Sequence, residues 1–334
     1  MNNFKKIGLT ALGTALVATS VSAGEMSVSG GASIAMQHAT IGTGADAGKK
    51  FQMGNQLTFT GGGTLDNGLD VSLSFVIDQG DNETTSTDEN GADAPFDSHS
   101  VSIGNDTIGT FTFHGEGADS EQNAMHSVVT GELWDNDLGA TAPSESSAGD
   151  NTMTYYNSSL YDGLTIGASY APRGSASANG GDNKHDSSTA WSVKYDGVEG
   201  LSVGYASGED STTKGAQADV DSYFITYAYG PITVGYGVTE YDSENTGATY
   251  DRDYSEYEIA YTLTDSLSIS YGVETLETPN KSSDVDQEVT GIKASYTAGG
   301  MTLGIAQVDL DNDDFSNAAT ADSEMWEVSA SFAF

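Results

Sequence analysis

Six carboxylates crowd one part of the chain: Glu116, Asp119, Glu121, Glu132, Asp135 and Asp137 lie in or beside the interval from Gly117 to Gly149. Carboxylates at such spacing can move protons, hold a cation, or present a negative field to whatever passes them. The first use needs partners that the sequence does not supply. There is no cysteine, no H-E-x-x-H and no G-x-S-x-G, and the five histidines, His38, His99, His114, His126 and His185, are scattered. Gly115-Glu-Gly117-Ala-Asp-Ser120 puts serine where a phosphate-binding fingerprint requires its third glycine. No catalytic constellation remains, and the chain is not read as an enzyme.

For the second use, Asp309-Leu-Asp311-Asn312-Asp313-Asp314 opens like a calcium loop, but its sixth position is Asp314 instead of glycine and its twelfth is Thr320 instead of glutamate. Elsewhere Asp81, Glu83, Asp88, Glu89, Asp93 and Asp97 repel one another until a divalent ion screens them. Weak Ca²⁺ binding in acidic external loops is therefore expected, with no cofactor required. The third use has the strongest support. Eleven Lys+Arg against 49 Asp+Glu give a net charge of -38, which repels nucleic acids and anionic surfaces alike. Lys194, Lys293, Arg173 and Arg252 alternate to the same face as small polar residues and are the cations available to oppose the acidic interval. Lys49 and Lys50 are expected in a loop, so the first four strands offer no inward basic residue.

The elements that position these groups follow from alternation. Leu69-Val71-Leu73-Phe75-Ile77 interleaves with Asp70, Ser72, Ser74, Val76 and Asp78, and the two-residue period returns to the end of the chain at Trp326-Val328-Ala330-Phe332-Phe334. Marking every such block predicts about sixteen strands, near 25–37, 51–61, 68–78, 97–105, 108–116, 150–159, 163–172, 188–196, 200–208, 219–229, 231–241, 252–262, 266–276, 285–297, 300–310 and 323–334. Tight turns alternate with longer acidic loops such as 79–96, 173–187, 208–218 and 312–322. Hydrophobic residues at 37% and 41 glycines underfill a globular core, while 17 Tyr, 11 Phe and 3 Trp argue against disorder.

Met1 to Ala23 reads as a secretory signal, with Lys5 and Lys6 before an apolar run and Val21-Ser22-Ala23 at the cleavage point. Residues 24–334 then form one all-β domain, an up-and-down antiparallel barrel that spans a membrane. Its apolar face turns to lipid. Small inward residues (Ser27, Ser29, Ser33, Ser72, Ser74, Thr110, Thr112, Thr233, Gly235, Ser268, Ser270) leave a water-filled middle, as sixteen strands do and eight do not. The interval 117–149, with a short helix expected over Glu121–Trp134, folds into this lumen, setting Met125, Val128, Val129 and Leu133 on the wall and its carboxylates toward the passage.

Several segments resemble the trimeric general porins of Gram-negative bacteria, the sixteen-stranded type of alpha- and beta-proteobacteria. Leu57-Thr-Phe59-Thr-Gly-Gly-Gly-Thr-Leu65-Asp-Asn-Gly68-Leu69 is similar to that family's second hairpin. Ile108-Gly109-Thr-Phe111-Thr-Phe113-His-Gly115 resembles its fifth strand, and Asn151-Thr-Met-Thr-Tyr155-Tyr156 through Gly163-Leu164 its sixth strand and turn. The terminal Phe334 resembles the aromatic by which such barrels are recognised for insertion. The resemblance implies a homotrimer of separate pores in the outer membrane, each narrowed by the third external loop and passing small hydrophilic solutes by diffusion. One departure is plain: the family's basic cluster facing the acidic loop is missing, and its sixth-strand basic position is Thr154. The expected lumen therefore prefers cations. The alternative is a secreted or surface-attached acidic adhesin or calcium-binding protein.

Overall fold

Strict alternation commits a segment to extended backbone, because only a two-residue period keeps one face apolar and the other wet. A computed structural model, which describes residues 25–42, 45–78, 98–125, 129–135, 138–172, 186–213, 216–243, 251–278, 285–318 and 320–334, contains sixteen strands. They are β1 (Glu25–Ile41), β2 (Ala45–Thr64), β3 (Asp70–Asp78), β4 (Ser98–Asn105), β5 (Gly109–Glu116), β6 (Met153–Tyr161), β7 (Leu164–Ala171) and β8 (Ser188–Val198). The second half comprises β9 (Leu201–Thr213), β10 (Ala216–Tyr229), β11 (Ile232–Ser243), β12 (Arg252–Thr264), β13 (Leu267–Glu277), β14 (Gln287–Ala298), β15 (Met301–Asp311) and β16 (Ser323–Ala333). The expected signal segment, the acidic cluster from Asp81 to Asp97, Arg173, Asp137, His126, Val128 and His185 lie outside the described residues.

Each strand pairs antiparallel with its sequence neighbours, and β1 also pairs β16, from Gly31 opposite Ala333 to Ile41 opposite Ser323. The sheet thus closes without a free edge. Closure uses the last residue: Gly30 N–H donates to Phe334 O at 2.7 Å, and Phe334 N–H donates back to Gly30 O at 3.0 Å. One rim is built of tight turns at 65–69, 106–108, 162–163, 199–200, 230–231, 265–266 and 299–300. Gly200 (φ 76°) in one of the two-residue turns takes the left-handed backbone such a connection needs. The connection from β5 to β6, residues 117–152, leaves the opposite rim and turns inward.

Three expectations need correction. β1 and β2 run on through the expected loop 38–50, and β9 and β10 through 208–218, leaving only 214–215 between them. Beyond the apolar band both faces of a hairpin are polar, so alternation fades while backbone pairing continues. Lys49 and Lys50 are consequently strand residues opposite His38 and Gln37. Lys50 shares the inward face with Gln52, whose amide donates to Gln37 Oε1 at 2.8 Å. The helix expected over Glu121–Trp134 is also absent among the described residues. Residues 121–124 make one turn, with Ala124 N–H on Ser120 O at 3.2 Å, and the chain then opens out.

The outer face is exposed and apolar, with Phe51, Leu73, Ile225, Ile259 and Ile305 among its members. Rings pack across strands there: Phe59 stacks on Phe75 with centroids 4.8 Å apart, and Tyr236 meets Tyr257 at 4.8 Å. The buried apolar cluster lies inside the barrel. Leu133 and Leu138 of the infolded segment pack against Val289, Val308, Leu310 and Met325 on β14, β15 and β16.

Candidate functional site

The infolded segment lies along the inner wall from β7 to β16 and is held there mostly through its own backbone. The amides of Val129 and Thr130 donate to the two oxygens of Glu258 at 3.0 and 2.8 Å, and Thr130 Oγ1 adds a bond of 2.6 Å. One strand further on, the amides of Leu133 and Trp134 donate to Glu274 at 2.6 and 2.8 Å. Gln287 on β14 accepts from the Thr141 amide and donates to its carbonyl, both at 2.9 Å. These amides point sideways into carboxylates, which is why they are not engaged in a helix. Glu258 is 5% and Glu274 2% exposed, so each buried carboxyl group needs the donors that the segment brings.

Loop ends are tied in the same manner. Gln122 donates to Ser222 Oγ at 2.7 Å and accepts from the Ser146 amide at 2.7 Å. Ser147 Oγ reaches Asp210 at 2.9 Å. The wall makes room by omitting side chains. A Cβ at Gly291 would stand 2.5 Å from Leu133 Cδ2, and one at Gly204 2.5 Å from Met125 Sδ. Met125 and Leu133, assigned to the wall from sequence, are buried there, whereas Val129 is half-buried.

The loop carboxylates have separate fates. Ser192 Oγ donates to Glu121 at 2.7 Å while the Glu121 amide donates to Ser169 Oγ at 3.1 Å, so this side chain is turned to the wall. Burial pushes the Glu121 carboxyl above the usual carboxylate range, with the Ser192 bond pulling the other way. Glu116 leaves the lumen. A bulge sets Gly115 and Glu116 together against His99, and the Glu116 carboxylate lies 3.8 Å from the His99 ring, on the face of Phe75. Glu132 borders a cavity of about 30 Å³ between loop and wall, shared with Gln122, Trp134, Tyr254 and Glu256. Asp119 is close enough to His114 to act on it electrostatically, and Asp135 is half-buried on the same loop.

Of the cations named from sequence, the three among the described residues do not stand opposite the loop. Lys293 lies behind it, Nζ donating to Thr130 O at 3.0 Å and Gly131 O at 3.3 Å. Its alternation was read correctly, but alternation cannot say whether another segment covers an inward residue. Lys194 pairs loosely with Asp196 at 3.8 Å on β8, and Arg252 opens β12 at the outer end; both belong to the wall beneath the loop. The facing wall, β1 to β6, is lined mainly by Ser, Thr, Gly, Ala and Gln, with His114 and Tyr156 among them, Asp70 at the turn end, and Lys50 and Asp78 toward the outer end. Sequence reasoning missed Glu256, Glu258, Glu274, Gln287 and Glu327. Their signal was available: charged or amide residues at inward positions of strands that otherwise use Gly, Ser and Thr. Among the described residues no group of three or more His, Asp or Glu is placed to hold a metal ion. Asp309 and Asp311 are strand residues of β15 and do not begin a loop.

A closed antiparallel barrel, apolar outside, polar within and narrowed by an infolded loop, is an outer-membrane channel. A family model described as Gram-negative porin matches residues 8–287, and the chain belongs to that family. No curated protein matches the sequence. Among solved structures, OmpF of Salmonella typhi in complex with daunomycin superposes with a TM-score of 0.67 at 15% identity, covering 93% of this chain and 98% of that one. OmpT of Vibrio cholerae, an outer membrane protein, gives 0.66 at 14%, covering 96% and 100%. An anion-selective porin from Comamonas acidovorans gives 0.63 at 14%, covering 93% and 100%. Identities this low establish the shared barrel; the secreted adhesin is not what this family and fold describe.

Proposed function

We propose that this porin passes small hydrophilic solutes by diffusion, prefers cations, performs no catalysis, and works as a homotrimer after cleavage of its leader after Ala23. The carrying observation is the loop: it occupies one wall and leaves the wall of β1 to β5, mostly small and polar, open to solutes. Cation preference is supported by charge. Glu132, Asp135 and Asp137 lie on or beside the loop, the wall beneath it adds Glu256, and Lys293 is consumed by loop carbonyls. A negative potential inside a low-dielectric wall enriches cations. The anion-selective Comamonas porin has the same fold, so preference follows side-chain charge and not architecture.

Reversal potentials across a planar bilayer under a KCl gradient test this reading. Cation preference should be large in dilute salt and shrink toward 1 M, where the Debye length falls to about 3 Å. Joint neutralisation of Glu132, Asp135 and Asp137 to Gln and Asn should reduce it without closing the pore. Anion preference, or no change in that triple variant, overturns the charge assignment. Phe334, whose ring covers Gly30 on the outer face, is the proposed insertion signal. Phe334→Asp should then accumulate unassembled in the periplasm.

A further inference from the structure

The connection between β15 and β16 contains three non-glycine residues in left-handed backbone within four positions: Asn312 (φ 58°), Asp314 (φ 50°) and Phe315 (φ 55°). Asparagine and aspartate tolerate this region, but a bulky aromatic rarely enters it. The conformation has an identifiable return. Phe315 is only 4% exposed, although it belongs to an external loop, and it packs with Tyr254 of β12 and Leu276 of β13. Those strands are not neighbours of β15. The loop therefore reaches inward across the mouth of the barrel past β14, instead of standing up into solvent.

The cluster at its tip includes Trp134 of the constriction loop. Trp134 also packs on the larger cluster formed by Leu133, Leu138, Val289, Val308, Leu310 and Met325. One continuous apolar joint thus runs from the constriction loop to the external loop. Polar bonds fix the base of the external loop, and the apolar joint adds to them at the tip: Asn312 Nδ2 donates to Asp286 O at 3.0 Å, Asp313 N–H to Ala321 O at 3.0 Å, and Gly42 N–H to Asp322 O at 2.8 Å.

We propose that Phe315 is a latch that couples the last external loop to the constriction loop through Trp134, so that release of the outer loop at the cell surface loosens the constriction. The coupling is reciprocal: undocking the inner loop loosens the outer one by the same factor that undocking the outer loop loosens the inner. The latch rests on the channel reading but not on ion preference, and half of its test needs no conduction.

Two measurements on the full-length protein in lipid decide it. In single-channel recordings, Phe315→Ala and Trp134→Ala should each raise the frequency of brief closures about tenfold. The double variant should be no worse than the stronger single, because both remove one joint, and Phe315→Leu should stay near wild type. The wild-type trace in the same bilayer shows whether the protein conducts at all. Independently, the chain has no cysteine, so Ser316→Cys supplies a single thiol on the outer loop. Its reaction with a membrane-impermeant maleimide should be at least tenfold faster when Trp134→Ala is added. Unchanged labelling in that pair, or closure frequencies that multiply in the double variant, overturns the latch. If Phe315→Ala fails to assemble, the labelling pair, which retains Phe315, still decides.

Discussion

None of the 17 tyrosines precedes Tyr155, so the outer faces of β1 to β5 carry Phe, Met, Leu, Ile and Val, whereas β7 to β14 are banded with Tyr170, Tyr205, Tyr223, Tyr227, Tyr236, Tyr257, Tyr271 and Tyr296. Tyrosine suits the boundary between lipid and water, where its ring is apolar and its hydroxyl stays wet. A sector that omits it is suited to burial against protein, so the subunit contact of the proposed trimer is expected there. The inner faces divide along nearly the same line. β12 and β13 carry Glu256, Glu258 and Glu274 at inward positions and seat the loop; β1 to β5 carry small neutral residues over most of their length and leave the passage clear. Two walls with the same backbone geometry thus do opposite things, and the difference resides in a few side chains on each face.

The sharpest way to break this comparison is at the loop seat. Glu274→Ala strands the amides of Leu133 and Trp134 and removes a charge partner of Lys293, so the loop should detach at a cost of about 3–5 kcal/mol. Thermal unfolding in detergent and protease cutting near Trp134 read it, against Ser100→Ala on the clear wall, which should change neither. A folded Glu274→Ala protein with wild-type protease resistance would show that the carboxylate does not carry the loop.

On the outer faces, Ile259→Arg in the tyrosine-banded wall should cost roughly 2–4 kcal/mol of stability in lipid. Val101→Arg in the tyrosine-free wall should instead convert the unboiled trimer band to monomer. If Ile259→Arg dissociates the trimer and Val101→Arg does not, the contact sector has been placed on the wrong side.

Smaller changes sharpen the inner contrast. At Gly291 an added Cβ stands 2.5 Å from Leu133 Cδ2, and Leu133 is 1% exposed with nowhere to move. At Gly54 the nearest atom is Ser33 Oγ at 2.9 Å, a hydroxyl that can rotate away. Gly291→Ala should therefore cost about 1–3 kcal/mol and Gly54→Ala well under half that, read as shifts in melting temperature. The smallest effect expected is at Glu121. Its folded pKa is raised, so the ionised form is disfavoured in the folded chain, and stability gained from this group grows as pH falls through that raised value. Glu121→Gln should lose this part of the rise in melting temperature as pH falls from neutral toward the ordinary carboxylate range; an unaltered pH profile would place the carboxyl in water.

Strand number, which face of each strand turns outward, and the position of the long inward loop were legible without coordinates, because they are local. Val71 and Leu73 lie on the same face whatever the strand pairs with, and every tight turn is marked by the residues on either side of it. The ends of β1, β2, β9 and β10 were not legible, since pairing persists where the contrast between faces disappears. Neither was the seat of the loop. Its bonds join residues 128 to 146 positions apart, Thr130 with Glu258 and Thr141 with Gln287, and no local period records such a meeting. Lys293 makes the division plain: its position on the strand determined that it faces inward, and only the folded loop decided that it is covered and bonded to the carbonyls of Thr130 and Gly131, so that its charge is withdrawn from the passage.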